Sequence, residues 1–562
     1  MESYQTWFGE GPELSVLRML GLFDRPADEK ALAVLLKSPA IPGLTESLTD
    51  LSPTEWRTTL AKLRRARLLA GEDPHSPGCL DTHPLVREYF GEQLRSERAN
   101  AWKESNKRLY DHYRTLAPQL PNSFTEMEPL FSAVICGCNA GLFRDALHEI
   151  YIPRIQRGAS SFAANVLGAR GALLLVLAHF FQNGCWVSPL GLGVGGQSLT
   201  AEDQVFILMQ AGLHLIHTRG TSSAAAHICC ERAESLCYSL DRPLLLYVAL
   251  IGQFTYSLMT ERLTATTRIV ERIYSLAQKQ NDLALMMGTY RFFAVTLYYS
   301  GDFQTARDYA VRGLQIWRSG GVRSPIVELI APAVECLAYQ ALSEWHLGDI
   351  ASCKTNMAKA IALAKELNDM PGLGLALYWA ALLAQFEGDL HEVERLASDL
   401  IELSTRQTLA NWLPGGVVLR GWVRSASGEA TEGISLIEEG IRDYHAIGAV
   451  LRLPYFLTLK AEALHLADRT VEALEAIREA GRLVERSEAR WWCAELHRVR
   501  GRFLAAMGAD ETQIEASFSE AIRIAKQQKS VSLEKRAQAT YAEYRRRKAS
   551  GSGGRGFRLP LC

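Results

Sequence analysis

The densest set of metal-ligating side chains in the 562-residue sequence is His214 and His217, followed closely by the adjacent pair Cys229 and Cys230. Two imidazoles one helical turn apart and two thiolates would match the donor count of a tetrahedral zinc site. Adjacent cysteines point in different directions on a helix, however, and Cys commonly packs as a small hydrophobe, so no metal is expected. The run Gly191-Leu192-Gly193-Val194-Gly195-Gly196 has the glycine content of a phosphate loop. It lacks the lysine that would reach a phosphate, and no strand precedes it, so it reads as a linker. No H-E-x-x-H or G-x-x-x-x-G-K-[ST] motif occurs. Nowhere do a nucleophile, a base and an orienting group recur together, so neither catalysis nor a cofactor is expected.

What remains is the chemistry of recognition. Arginines, aromatics and carboxylates recur at Arg291, Tyr298, Tyr299, Glu335, Trp345, Tyr378, Gln385, Phe386 and Trp422. Aromatic and arginine side chains on a concave surface are the usual anchors of binding. A second candidate is the basic run Lys62-Leu63-Arg64-Arg65-Ala66-Arg67, which could contact phosphates from one helix. Four charges on a helix are also the ordinary composition of a solvated face, and DNA is not the favoured partner.

The elements that must position these residues repeat. A turn residue separates two helical runs at Gly220, Thr260, Gly301, Gly348, Gly388, Gly428, Asp468 and Gly508, with spacings of 40, 41, 47, 40, 40, 40 and 40. The long interval contains Ser319-Gly320-Gly321-Val322-Arg323-Ser324-Pro325, a loop insertion. Seven residues before the turn stands a small residue: Ala294, Ala341, Ala381, Gly421, Ala461 or Gly501. Five after it comes another compact residue, such as Ala306, Cys353, Gly433 or Ala473, and twelve after it Gly313, Ala360, Gly440 or Ala480. Leu400 breaks the twelve-residue rule, and Gln513 breaks the five-residue rule in the last repeat, where Ala516 is expected to take its place. This is the pattern of tetratricopeptide-like helix pairs, slightly longer than the standard unit. Stacked pairs bury a continuous core and wind into a superhelix with a concave groove. In that register the nine recognition residues named above face the groove, where a protein or peptide partner would lie.

Ahead of the repeats the pattern changes. Leu14, Leu17, Leu20 and Phe23 mark one helix; Asp28 opens another over 31–36; Ser52-Pro53-Thr54-Glu55 is a capping-box start for a third, ending near Ala66. Residues 68–70 and 79–81 can pair as a hairpin, and a further helix follows His83-Pro84. This order predicts a winged-helix-like domain over 13–95. Residues 97–200 form a helical linker region in which Gly141 and Ala146 suggest an early pair. The repeats fill 201–545, and 546–562 is a basic, Gly-rich tail.

Composition sets outer bounds. Lys and Arg number 61 against 62 Asp and Glu, which argues against charge-driven binding to nucleic acid or anionic membrane. Eleven scattered cysteines, an odd number without a C-x-x-C, suit reduced thiols in a cytoplasmic protein. The N-terminus has no signal-peptide pattern, and the apolar stretch 171–181 is too short to span a bilayer.

Nearly the whole chain resembles the C-terminal part of bacterial STAND-type signalling NTPases and large ATP-dependent regulators. The stretches that carry the resemblance are Gly21-Leu22-Phe23-Asp24-Arg25-Pro26, Asp81-Thr82-His83-Pro84-Leu85-Val86-Arg87-Glu88-Tyr89-Phe90, Arg154-Ile155-Gln156-Arg157-Gly158, Leu451-Arg452-Leu453-Pro454 and Glu488-Ala489-Arg490-Trp491-Trp492. The resemblance implies a winged helix followed by a repeat sensor. It also implies that His83 senses nucleotide phosphates when a separate nucleotide-binding domain is present. No such domain occurs in the 562 residues, so a split-off partner or a truncated reading frame is expected, and the C-terminal helix-turn-helix of some regulators is missing. The sequence therefore predicts an all-α protein, a tetratricopeptide-like superhelix with a small N-terminal winged-helix-like domain. Its predicted role is that of a binding and regulatory scaffold. The competing expectation is a transcriptional regulator that binds DNA through residues 13–95.

Overall fold

A computed structural model of the chain describes residues 6–76, 78–158, 161–188, 190, 198–319 and 330–549. The glycine run at 191–196, most of the insertion at 319–325 and the tail from 550 lie outside the described residues. The protein is all-α. Its β pairing, among the described residues, is limited to isolated bridges between Ala27 and Leu80 and between Phe181 and Leu190. Two compact units divide the chain, Met1–Ile207 and Leu208–Cys562.

In the first unit, helices Pro12–Leu20, Glu29–Leu35, Pro53–Arg65 and Pro84–Glu97 occur in the order in which the sequence places them, and a short helix that the sequence did not suggest, Glu46–Thr49, is inserted before the third. Asp28 accepts from the Ala31 amide, and Ser52 and Glu55 close a reciprocal capping box. The hairpin expected between 68–70 and 79–81 does not form as a strand pair. Leu80 instead exchanges both backbone bonds with Ala27, and a single bond from Ala70 N to Asp81 O joins the other side. The turn residues between them are too many for a tight hairpin, so the longer-range partner wins. Residues 97–200 belong to this same unit. Helices Ala99–Leu116 and Phe124–Ala140 pack together, and Gly141 ends the second in the left-handed region at φ +83°. Ala146, as anticipated, sits at the close approach, against Gly137. The buried Arg154 spreads its guanidinium over the carbonyls of Arg114, Ala117, Pro118 and Gln119 at 2.8–3.2 Å.

The repeats form eight helix pairs among the described residues. They run from Ala201–Arg219 with Ala224–Leu240 to Cys493–Ala506 with Glu511–Gln527, and Val531–Ala549 follows as a lone helix. The glycine turns take the conformation that favours glycine: φ is +90° at Gly301, +88° at Gly348 and +74° at Gly388. The following aspartates, Asp302, Asp349 and Asp389, each accept from a backbone amide three residues on and start the second helix. Thr260 departs from the rule, since the chain there passes through extended backbone at Glu261. In the last pair Ser517 is buried where Ala516 was expected, and Ala516 is exposed. The basic cluster Arg545, Arg546, Arg547 and Lys548 belongs to the end of helix Val531–Ala549, with Glu515, Glu543 and Glu511 as its ion-pair partners. Among the described residues one helix, Pro243–Thr260, is long and apolar enough to cross a membrane, and 56% of it is buried inside the protein, where Tyr247 and Phe254 join the core.

Candidate functional site

The two helices of a repeat differ in character. Met370–Glu387 buries every residue from Gly372 to Phe386, whereas Leu390–Gln407 buries only Val393, Leu396, Ala397, Leu400, Leu403 and Ser404. A helix that is apolar on all sides needs cover on all sides. Its own partner helix and its neighbours along the solenoid leave the inner side open. That side is covered by repeats one superhelical turn away. Trp491 N donates to Tyr299 O at 3.1 Å and Val450 N to Met259 O at 2.9 Å. Thr264 N donates to Glu488 Oε2 at 3.0 Å, and His346 Nδ1 lies 3.0 Å from Ser530 Oγ. These contacts join residues 184 to 224 apart in sequence.

The concave groove is therefore filled. Arg291, Tyr298, Tyr299, Trp345, Tyr378, Gln385, Phe386 and Trp422 are each 5% exposed or less, and Glu335 is half-buried. They meet one another and the next turn instead of solvent. Tyr298 packs on Trp491 at 5.6 Å and Phe386 stacks on Trp492 at 4.6 Å. Tyr455 donates to Gln385 Oε1 at 3.0 Å, and Trp422 Nε1 donates to Glu462 Oε2 at 3.0 Å. Glu495, fully enclosed nearby, accepts a fork from Arg498 at 2.6 and 2.9 Å and a third bond from Arg536 at 2.8 Å. Burial pushes its carboxyl up, but the guanidiniums of Arg498 and Arg536 outweigh this and hold it at about 2.

Beside this core lies a cavity of about 60 Å³. Two of the predicted residues reach it. Arg291 Nη1 donates to Ile330 O at 2.8 Å and to Glu335 Oε2 at 3.2 Å, forming an ion pair in the wall. The third polar group is Arg452, 2% exposed, at the N-cap of Leu453–Leu466. Its guanidinium carbon lies 4.4 Å from the Trp412 ring centre, 4.9 Å from Tyr378, 5.8 Å from Trp379 and 5.9 Å from Tyr444. The hydrogen bond that its guanidinium makes among the described residues is a long one, Nη1 to Asn411 O at 3.4 Å. Asn411 is held from the other side, where Thr221 Oγ1 donates to its Oδ1 at 3.1 Å. The arrangement can receive a small polar group against a cation, with apolar walls from Phe254, Ile251 and Leu375.

No family model matches the chain. An uncharacterized protein of Rhizobium meliloti (strain 1021) is 26% identical over 208 residues, which is 37% of this chain and 20% of that protein. The match thus spans about a fifth of that relative's length. Among solved structures the chain is similar to a Signal Transduction ATPase with Numerous Domains from Pyrococcus horikoshii that carries a tetratricopeptide repeat sensor, at 15% identity and a TM-score of 0.37. That alignment covers 89% of this chain and 66% of the other, just under two thirds of its length. It is also similar to a Rap protein complexed with Competence and Sporulation Factor, at 11% identity, TM-score 0.44, 62% of this chain and 98% of that one. NprR in complex with its cognate peptide NprX aligns at 11% identity and TM-score 0.40, over 62% of this chain and 100% of that one.

The other residues singled out by the sequence go to separate places. His83 is exposed at the start of Pro84–Glu97, where its Nδ1 accepts from Leu85 N at 3.3 Å. Of the basic run, Lys62 pairs with Glu13 at 2.8 Å and Arg64 Nε donates to Ala70 O at 3.3 Å, so two of its four charges serve the unit itself. His214, His217, Cys229 and Cys230 are buried, and the Cys230 side chain packs over Gly252. No three His, Cys, Asp or Glu side chains gather as a metal site among the described residues. Arg452, Asn411, Trp412 and Thr221 were missed as site residues. The signal for Arg452 was available: it is the lone charge in Ala449-Val450-Leu451-Arg452-Leu453-Pro454-Tyr455-Phe456-Leu457.

Proposed function

We propose that this protein is a binding scaffold, the sensing arm of a STAND-type signalling system. In this reading the repeats capture a small ligand on the superhelical axis, and the 13–95 region, taken as a winged helix, docks or relays to a nucleotide-binding partner in the cytoplasm. The observation that carries it is the axial cavity beside the Arg291/Glu335 ion pair and the buried Arg452. A closed superhelical turn joins distant repeats through that cavity's walls. A ligand there would touch helices from several repeats at once, which is what a sensor requires of its site. Capture of a long peptide along the concave face is supported less, because that face is packed shut. DNA reading by Pro53–Arg65 is also supported less, because Lys62 and Arg64 are engaged within the unit. The resemblance of the sequence around His83 supports a nucleotide-binding partner.

Hydrogen exchange of the full chain, with and without a fractionated small-molecule cell extract, tests the sensing reading. A ligand is expected to slow exchange together in Leu283–Ser300, Met370–Glu387 and Leu453–Leu466. Protection confined to outward faces of the second helices, or none from any fraction, would refute it.

A further inference from the structure

Four arginines are buried in the second unit among the described residues: Arg291, Arg452, Arg498 and Arg502. Three of them sit on carboxylates. Arg291 meets Glu335 at 3.2 Å, Arg498 meets Glu495 at 2.6 Å, and Arg502 meets Glu462 at 3.5 Å. Arg452 is the exception. No carboxylate lies within ion-pair range of it among the described residues, and its buried Nε has no hydrogen-bond partner. The titratable groups that act on it most strongly are Tyr444, Tyr299, Tyr378 and Tyr339, all neutral at physiological pH.

A buried charge is costly unless it is paired and hydrogen-bonded. The four rings around Arg452 offset part of that cost, since a cation over an aromatic face gains about 0.5–2 kcal/mol. They satisfy none of its N–H groups. An arginine offers five N–H donors in a planar fork, and here one of them has a protein acceptor, at 3.4 Å. The Tyr378 hydroxyl and the Trp379 indole N–H, on two of the rings that surround it, are also buried without partners. Arg452 thus brings N–H groups without acceptors to a cavity whose other charged lining, Arg291 and Glu335, is already paired with itself.

We infer that the cavity is a carboxylate receptor, with Arg452 as the residue that takes the two oxygens. This rests on the sensing reading above and gives the ligand its chemistry. A planar anion with two oxygens matches the guanidinium fork bidentately. The volume of about 60 Å³ sets the size. It exceeds the roughly 10–15 Å³ that one water needs, and falls short of the roughly 150 Å³ of a cavity that binds benzene. A carboxylate with a one- or two-carbon stem fits. Ile251, Phe254 and Leu375 would cover the stem, and these apolar walls disfavour phosphate, whose anionic oxygens need donors all round. The carboxylate has two sources, a free short-chain acid or the C-terminus of a peptide.

Thermal unfolding of the full chain tests this. Acetate and propionate are expected to raise the midpoint with the logarithm of their concentration. Acetamide, propionamide, inorganic phosphate and equal chloride are expected not to. Trialanine against its C-terminal amide distinguishes the sources: a shift with the free terminus alone assigns a peptide end, and a shift with the acids but not with trialanine assigns a free acid. Arg452→Met is expected to fold, to be at least as stable as the parent without ligand, and to lose the shift. Arg452→Lys keeps the charge without the fork and is expected to weaken binding by about ten- to a hundredfold, the equivalent of one charge-assisted hydrogen bond. No shift of the parent protein with any carboxylate, an equal shift with the amides or phosphate, or an undiminished shift in Arg452→Lys overturns the inference. A neutral ligand that protects the same helices, indifferent to Arg452→Lys, overturns the carboxylate assignment and leaves the sensing reading standing.

Discussion

His346 shows how much of this protein's behaviour is set by single buried polar groups. It lies on the inner side of Pro332–Leu347, fully buried, with its ring stacked on Phe303 at 3.7 Å and its Nδ1 sharing a hydrogen bond with Ser530, a residue one superhelical turn away. Burial pushes its pKa well below 6.5, and the charge of Arg536 adds to the shift. The folded protein therefore keeps the ring neutral while the unfolded chain takes up a proton. The stability this protects is fully present above pH 6.5 and is lost as the pH falls below it, at about 1.4 kcal/mol per pH unit for one group. His346→Phe preserves the stack and removes the titration. Urea unfolding between about pH 6.5 and pH 5 should then show a slope reduced by about that amount. His497 is shifted in the same direction by burial and accounts for slope that persists. An unaltered slope in the variant would mean that the His346 ring is already protonated in the fold.

At the scale of the helix pair, Leu413–Ala426 and Ala430–Ala446 approach closely. A Cβ on Gly433 would fall 2.4 Å from Gly421 O and 2.6 Å from Ser425 N, both backbone atoms that cannot move independently. Gly433→Ala should accordingly destabilise the protein by about 1–3 kcal/mol, the usual cost of overpacking. Gly481, in Thr470–Ser487, faces open space, and Gly481→Ala should stabilise by about 0.4–1 kcal/mol. Chemical denaturation of the two variants beside the parent decides the matter, and equal effects would contradict the packing. The glycine at 433 was legible in the sequence, because spacing from the turn places a compact residue there in every pair but the last, where Gln513 stands. So were the turns themselves, since Gly301, Gly348 and Gly388 stand where the chain needs left-handed backbone. The filled axis was not read, although its cause was printed in Leu373-Gly374-Leu375-Ala376-Leu377-Tyr378-Trp379-Ala380-Ala381-Leu382-Leu383-Ala384. A spacing rule reports which residues face a neighbour in the next repeat. It does not count how many sides of the helix are apolar, and that count is what demands a partner from another turn. Arg452 escaped for the same reason: its cage is built from Tyr378, Trp412 and Tyr444, which come together only when the superhelix closes.

Closure changes what the whole second unit should do when it unfolds. In an open solenoid each repeat contacts only its neighbours, and damage stays local. Here Trp491, 0% exposed, donates its backbone N–H to Tyr299 O and packs on Tyr298, Trp379 and Tyr455, so one residue ties four repeats together. Trp491→Ala should cost about 3–5 kcal/mol as a core truncation. More tellingly, native-state hydrogen exchange should accelerate in Leu283–Ser300, almost two hundred residues away in sequence, by about as much as in its own repeat. The exposed Val471, 58% accessible on the outward face of Thr470–Ser487, supplies the control, because Val471→Ala touches no other turn and should leave exchange in Leu283–Ser300 unchanged. Acceleration confined to the repeats adjoining Trp491 would show that the turns only rest against each other. Coupled acceleration would mean that a ligand binding between the turns, by holding them closed, could be felt along the entire array, which is the physical requirement for this unit to report occupancy at a distance.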